Sequence, residues 1–297
     1  MKKPELLLPA NSIETLKTAF RYGADAVYVG GNDFSLRSTS SDFDIECIEK
    51  AVNIANALDK KVYITINIYP RDYMIDDIIS YLKKIEELKV HGAIIADLGI
   101  IKLAKEYAPS IDIHISTQAN NTNYMTYMFY YEMGIKRVVS ARELSIDAIK
   151  NIRKMIPCDM EIESFVHGAM CISYSGRCLL SNALTKKDAN LGRCTHPCRW
   201  KYSIVEETRP SEYMRVFEDD KGTYIMNSKD LCMIEHIDKL IDAGIDSFKI
   251  EGRMKSPLYV AFITRLYRRI IDKENINLEE ELDKLKTIFN REYNRYR

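Results

Sequence analysis

Long uncharged apolar runs are missing from this chain. No window reaches the roughly 18 such residues that cross a bilayer, so no membrane-spanning helix is expected. A secretory leader is missing too: the opening MKKPELLLPANSIETL carries two lysines, but its apolar run stops at Leu8 and is flanked by Glu5 and Glu14. Both absences point to the cytoplasm, where thiols stay reduced and disulfides are disfavoured. Net charge is lacking as well, since 43 basic and 43 acidic residues cancel. Bulk electrostatics therefore announce no polyanion partner, although a local basic face depends on where the charges sit rather than on their sum. No dinucleotide fingerprint is present, because VGGNDF is not G-x-G-x-x-G. H-E-x-x-H and G-x-S-x-G are absent, which removes the common zinc-protease and hydrolase-elbow chemistries.

What the 297 residues do contain is a rhythm. Short β-rich runs fall at 5–9, 25–31, 61–67, 92–97, 112–117, 137–144, 160–168 and 247–253, and all but the last two are separated by a single helix-sized segment. Apolar runs of this length, bounded by turn signals, suit strands buried on both faces, and alternation with helices implies a parallel sheet. Eight such units favour an α/β fold of the closed (β/α)8 TIM-like barrel type over an open doubly wound sheet, which stays as the alternative. The barrel is expected over 1–275, with a cysteine-bearing insertion at 168–230 that makes short antiparallel strands near the end of strand seven. A helical tail is expected over 276–297.

In a barrel the polar residues just after each strand line one mouth. Here those are Asn11, Gly30, Gly31, Asn67, Asp97, Ser116, Gln118, Arg142, Glu143, His167, Glu251 and Arg253, each of which also reads as a helix cap or a loop ion pair. Beyond strand seven come Cys171, Cys178, Cys194 and Cys198, spaced C-x6-C-x15-C-x3-C in Gly-containing, loop-like sequence. Seven cysteines, an odd number clustered in one region, argue for metal or catalysis rather than a disulfide framework. Four thiolates suit tetrahedral zinc or an iron-sulfur cluster. The six-residue first gap is unlike the short paired spacings of structural zinc, so the cluster is favoured and zinc stays open. Cys232 is a reserve ligand, and Cys47 and Cys158 read as packing residues.

At these residues the chain resembles the U-32 peptidase family, also called collagenase-like proteases. ESFVHGAMCISYSGRCLLS matches its signature at Glu163, Phe165, Gly168, Ala169, Met170, Cys171, Gly176, Cys178, Leu180 and Ser181. RPSEYM, GTYIMNSKDL and SFKIEGRMKS are similar to the branch of tRNA hydroxylation proteins. The resemblance implies oxygen-independent hydroxylation of a tRNA wobble uridine to 5-hydroxyuridine, with a 4Fe-4S cluster on Cys171, Cys178, Cys194 and Cys198, and prephenate as oxygen donor. Its two carboxylates need cations, for which Arg142, Arg253, Lys255 and His167 are candidates, with Asn67 as a further substrate contact. His167, Glu163 and Glu251 are the acid–base candidates. The tRNA anticodon loop is the expected partner, and Tyr174, Trp200 and Tyr202 are placed to stack on a splayed base. Longer family members continue past the barrel, so the expectation is either that this chain is a piece of a longer protein or that a protein partner supplies that region. Two other readings stand beside this one: a peptidase, with Cys171 and His167 as a thiol-imidazole pair, and a non-catalytic zinc or cluster docking protein.

Overall fold

The computed structural model describes residues 3–31, 34–35, 43–171, 173–174, 177–200, 230–252 and 255–288, together with strand backbone at 204–206, 209–214, 218–219, 222–223 and 293–294. Eight parallel strands close into a ring: β1 (Glu5–Ala10), β2 (Ala26–Gly30), β3 (Lys61–Ile66), β4 (Gly92–Ile95), β5 (Asp112–Ile115), β6 (Arg137–Val139), β7 (Glu161–Gly168) and β13 (Ser247–Ile250). β13 pairs with β7 on one side and with β1 on the other, and this closes the barrel. The open doubly wound alternative is thereby excluded.

Helices α1 (Ile13–Arg21), α2 (Ile45–Ala57), α3 (Ile75–Glu87), α4 (Leu98–Tyr107), α5 (Tyr124–Glu132) and α6 (Ile146–Met155) follow the first six strands in turn. Helix α9 (Pro257–Ile271) follows β13. Their starts are set by short polar side chains that satisfy an otherwise orphaned N–H. Ser12, Asp44, Asp97, Asn123, Ser145 and Ser256 each accept a hydrogen bond from the third residue on. Asp97 is thus a cap, and the strand expected to run to it ends at Ile95 because its side chain turns the chain into α4. Asn11 is likewise structural, its carbonyl accepting from the Thr15 hydroxyl at 2.8 Å.

Strand alternation sorts the apolar residues into two layers. Leu6, Leu8, Val27, Val29, Val62 and Ile64 belong to the large core between sheet and helices. Leu7, Ala26, Tyr28, Tyr63 and Ile94 form a separate small cluster, the lumen. Each fully buried Leu or Ile contributes roughly 1.5–3 kcal/mol.

Between β7 and β13 the chain departs from the repeat. Helix α7 (Leu180–Thr185) and two antiparallel pairs, β8 (Ile204–Glu206) with β9 (Arg209–Met214) and β10 (Glu218–Asp219) with β11 (Gly222–Thr223), lie in this stretch. The short strand β12 (Asp230–Cys232) then runs antiparallel to the end of β7, outside the ring, before α8 (Ile237–Asp242) leads to β13. In the tail, α10 (Leu278–Ile288) is followed by β14 (Tyr293–Asn294), which pairs with β12.

Candidate functional site

A cavity of about 110 Å³ opens at the C-terminal ends of the strands. Cys171, Cys178, Cys194 and Cys198 all line it, as do Asn67, Arg142 and Glu251. Asn67 and Glu251, far apart in the chain, line one cavity because barrel strands deliver their C-terminal loops to one face.

The cysteine segment is held by short-range polar contacts. The Asn190 side chain accepts from the Cys178 N–H at 3.2 Å and donates to the Cys178 carbonyl at 3.1 Å, clamping that cysteine on both sides. Ser181, fully buried, donates to the Lys187 carbonyl at 2.8 Å and accepts from the Thr195 N–H at 3.2 Å. The serine of the signature therefore ties α7 to the loop carrying Cys194. The Cys194 sulfur accepts from the His196 N–H at 3.4 Å. The segment docks onto the β3 and β5 loops through Arg177, which donates to the Tyr69 hydroxyl at 2.9 Å and the Gln118 carbonyl at 3.2 Å.

Gly168 is the other signature residue with a visible physical reason. Its φ is +101°, and a Cβ there would lie 2.2 Å from the Glu251 carbonyl oxygen. Only glycine permits that backbone and that approach of β7 to β13.

The cavity floor is charged. Lys249, on β13, is 4% exposed and forms an ion pair with Glu163 at 2.7 Å. Its ammonium also lies 4.6 Å from the Tyr28 ring centroid and 5.5 Å from that of Phe165. The Arg142 guanidinium stands 4.7 Å from the same Phe165 ring, and its Nε is buried with no hydrogen-bond partner among the described residues. On the opposite sign, Tyr28 donates to a Glu251 carboxylate oxygen at 3.0 Å. The buried Oε1 of Gln118 also lines this space without a hydrogen-bond partner among the described residues.

Below Lys249 the barrel interior continues as alternating charge. Glu163 approaches Arg137 at 3.6 Å, and Arg137 pairs with Glu5 at 2.6 Å and with Glu161 at 2.6 Å. Burial pushes the Glu5 carboxyl up, but the charge and hydrogen bonds of Arg137 outweigh it and hold Glu5 below its ordinary value.

Not every expected residue reaches the cavity. His167 does not: a bulge lets Lys249 pair with Phe165 and Ile250 with His167, skipping Val166. That extra residue reverses the alternation, so Phe165 faces inward and His167 faces α9, where its Nδ1 lies 3.2 Å from the Tyr267 hydroxyl. Tyr267 donates its proton to the Val166 carbonyl at 2.9 Å, which leaves His167 to donate from Nδ1. Burial, aided by Lys255, pushes the imidazole pKa down to about 3. Glu163 lies beneath the cavity as the partner of Lys249 rather than in its lining. Lys255 sits over the Tyr259 ring at 5.5 Å, outside the lining residues. Cys232 is 4% exposed on β12, opposite His167 in the core. Arg253 and Tyr202 lie outside the described residues. Tyr174 and Trp200 are 58% and 42% exposed.

Sequence reasoning missed Tyr28, Phe165 and Lys249 as cavity residues. The signal for Lys249 was present: a lysine enclosed by Phe248 and Ile250 in a strand, at the same parity as Glu251.

Among the described residues, no three His, Cys, Asp or Glu side chains converge as a site for one metal ion. Four thiol side chains around one cleft are a donor set that suits a sulfur-liganded metal group, zinc or an iron-sulfur cluster.

A closed (β/α)8 barrel with an inserted cysteine segment over its C-terminal mouth defines the class. The chain belongs to peptidase family U32, whose profile matches residues 11–296. It is 42% identical over 311 aligned residues to tRNA hydroxylation protein P of Escherichia coli K12, covering 92% of this chain and 68% of that protein. It is 44% identical over 292 residues to tRNA hydroxylation protein P1 of Bacillus subtilis 168, covering 95% of this chain and 68% of that one. The fold is similar to a solved U32 peptidase with a TM-score of 0.53 at 15% identity, covering 84% of this chain and 93% of the other.

Proposed function

We propose that this protein is a tRNA hydroxylase that converts the wobble uridine of an anticodon loop to 5-hydroxyuridine without molecular oxygen. It takes prephenate as oxygen donor and holds a 4Fe-4S cluster on Cys171, Cys178, Cys194 and Cys198. The observation that carries this reading is the single cleft that joins four cysteines to the cations Arg142 and Lys249. The names of the two curated relatives support the RNA substrate.

A cluster bound here would supply redox or Lewis-acid chemistry. The protein's own groups do the rest. Asn67, Gln118 and Arg142 orient the bound molecules, and Phe165 offers a flat apolar surface. Hydroxylation at C5 oxidises the ring by two electrons, which the oxygen donor accepts as it gives up its oxygen, and the displaced ring proton goes to a base; among the described lining residues Glu251, held by the Tyr28 hydroxyl, is the carboxylate that can take it. Tyr174 and Trp200 present exposed ring surface on which an unstacked base can lie. Residues 1–275 act as the catalytic barrel in the cytoplasm, with 276–297 as its tail.

A peptidase reading based on Cys171 and His167 is disfavoured by geometry, since His167 faces α9 and donates from Nδ1 to Tyr267. The test is direct. Protein purified without oxygen should contain about four iron and four acid-labile sulfide per chain, and with prephenate should form 5-hydroxyuridine in unmodified tRNA, read by nucleoside mass spectrometry. Stoichiometric zinc, or a filled cluster with no product from any tRNA, overturns it.

A further inference from the structure

We propose that Lys249 is the principal ligand-binding cation of the cleft, and that with Arg142 it grips a carboxylate of a small molecule laid against the Phe165 ring. The assignment rests on the reading that this cleft takes a small carboxylate, and adds to it which residues make the grip.

The first argument is the cost of placing Lys249 where it is. Barrel lumens are ordinarily filled by branched apolar side chains, and a buried ion pair contributes little net stability compared with apolar residues of similar volume. This barrel nevertheless carries a buried lysine at 4% exposure, together with the carboxylate that accompanies it. Stability does not explain that choice; a charge required at the cavity does.

The second argument is order. Glu5, Arg137, Glu163 and Lys249 form a series along the interior with alternating sign, at 2.6, 3.6 and 2.7 Å. At its lower end the series is anchored by the Tyr63 and Ser247 hydroxyls, which donate to Glu5 at 2.8 and 3.1 Å. At its upper end it arrives at the cleft on a cation.

The third argument is the second cation. Arg142 and Lys249 stand over one ring, at 4.7 and 5.5 Å from its centroid. The Arg142 Nε is a buried donor with no hydrogen-bond partner among the described residues, and such a group costs about 1–3 kcal/mol unless something accepts from it. A carboxylate accepts from it and faces Lys249 at the same time. The buried Gln118 Oε1 would take a hydroxyl donor of the same molecule. The grip therefore suits a small carboxylic acid that also offers a hydrogen-bond donor.

The experiment is calorimetric titration of prephenate into the purified full chain. Charged hydrogen bonds of this kind are worth about 1.5–3 kcal/mol, so Lys249→Met should weaken binding roughly 10- to 100-fold, and Lys249→Arg should retain most of it. Because Lys249→Met leaves Glu163 buried without its partner, the double variant Glu163→Leu with Lys249→Met is measured alongside. It should unfold at or above the wild-type temperature and still fail to bind. Wild-type binding that persists unchanged in the folded double variant overturns the assignment alone. Wild-type protein that takes up no prephenate overturns the assignment together with the oxygen-donor reading on which it rests.

Discussion

Lys249 Nζ lies 2.7 Å from Glu163 Oε1, with Glu163 fully buried and Lys249 nearly so. The pair joins the signature segment on β7 to the run SFKIEGR on β13. It gives a buried glutamate and a buried lysine each an opposite charge inside the barrel. Breaking such a pair leaves a buried charge and costs about 3–5 kcal/mol, while replacing both members does not.

The cysteine ligands have a direct test. Cys178→Ser should lose visible absorption, iron and sulfide together, and abolish 5-hydroxyuridine formation, while circular dichroism stays that of a folded barrel. Retention of a full cluster in that variant removes Cys178 from the ligand set.

Cys232 should behave in the opposite way. It packs in the core opposite His167, so Cys232→Ala should keep its iron content and destabilise by about 1 kcal/mol, as a denaturant titration would register. Loss of iron without loss of stability would make it a ligand.

Gly168→Ala should be among the most damaging single-methyl additions in the chain. The new Cβ would meet the Glu251 carbonyl at 2.2 Å from a backbone with φ of +101°. A stability loss on the order of 3 kcal/mol is expected, and because Glu251 must move, activity should fall in whatever protein remains folded. Wild-type melting and turnover would contradict the close approach of the two strands.

Acid sensitivity should come in part from His167. Its pKa is about 3 in the folded chain, against an ordinary value near 6.5 when unfolded. The unfolded state therefore binds the extra proton between those values. The contribution is fully present above about pH 6.5 and is lost at roughly 1 kcal/mol per unit as pH falls towards 3. His114, also driven down by burial, acts in the same direction. His167→Gln should flatten the melting temperature profile between pH 6 and 4; an unchanged slope would place His167 in contact with solvent.

Much of the fold was legible because it rests on local patterns. Apolar runs, caps such as Ser12 and Ser145, and helix-sized gaps are one-dimensional signals, and together they give eight strands in order. The cysteine spacing was equally readable, and all four cysteines do line one cleft. His167 was placed wrongly because a bulge at Val166 reverses the facing of the strand by one residue, and nothing in local composition marks it. Lys249 was passed over because a lysine in a strand ordinarily points to solvent.

Sequence alone determined which segments become strands and helices, where the chain leaves its repeat, and which thiols are available, since each follows from neighbouring residues. Only the closed barrel decided that Glu5, Arg137, Glu163 and Lys249 stack along one interior, and that Arg142 and Lys249 share the Phe165 ring. Those contacts depend on strand register and ring closure, which bring together residues with no nearness in the chain.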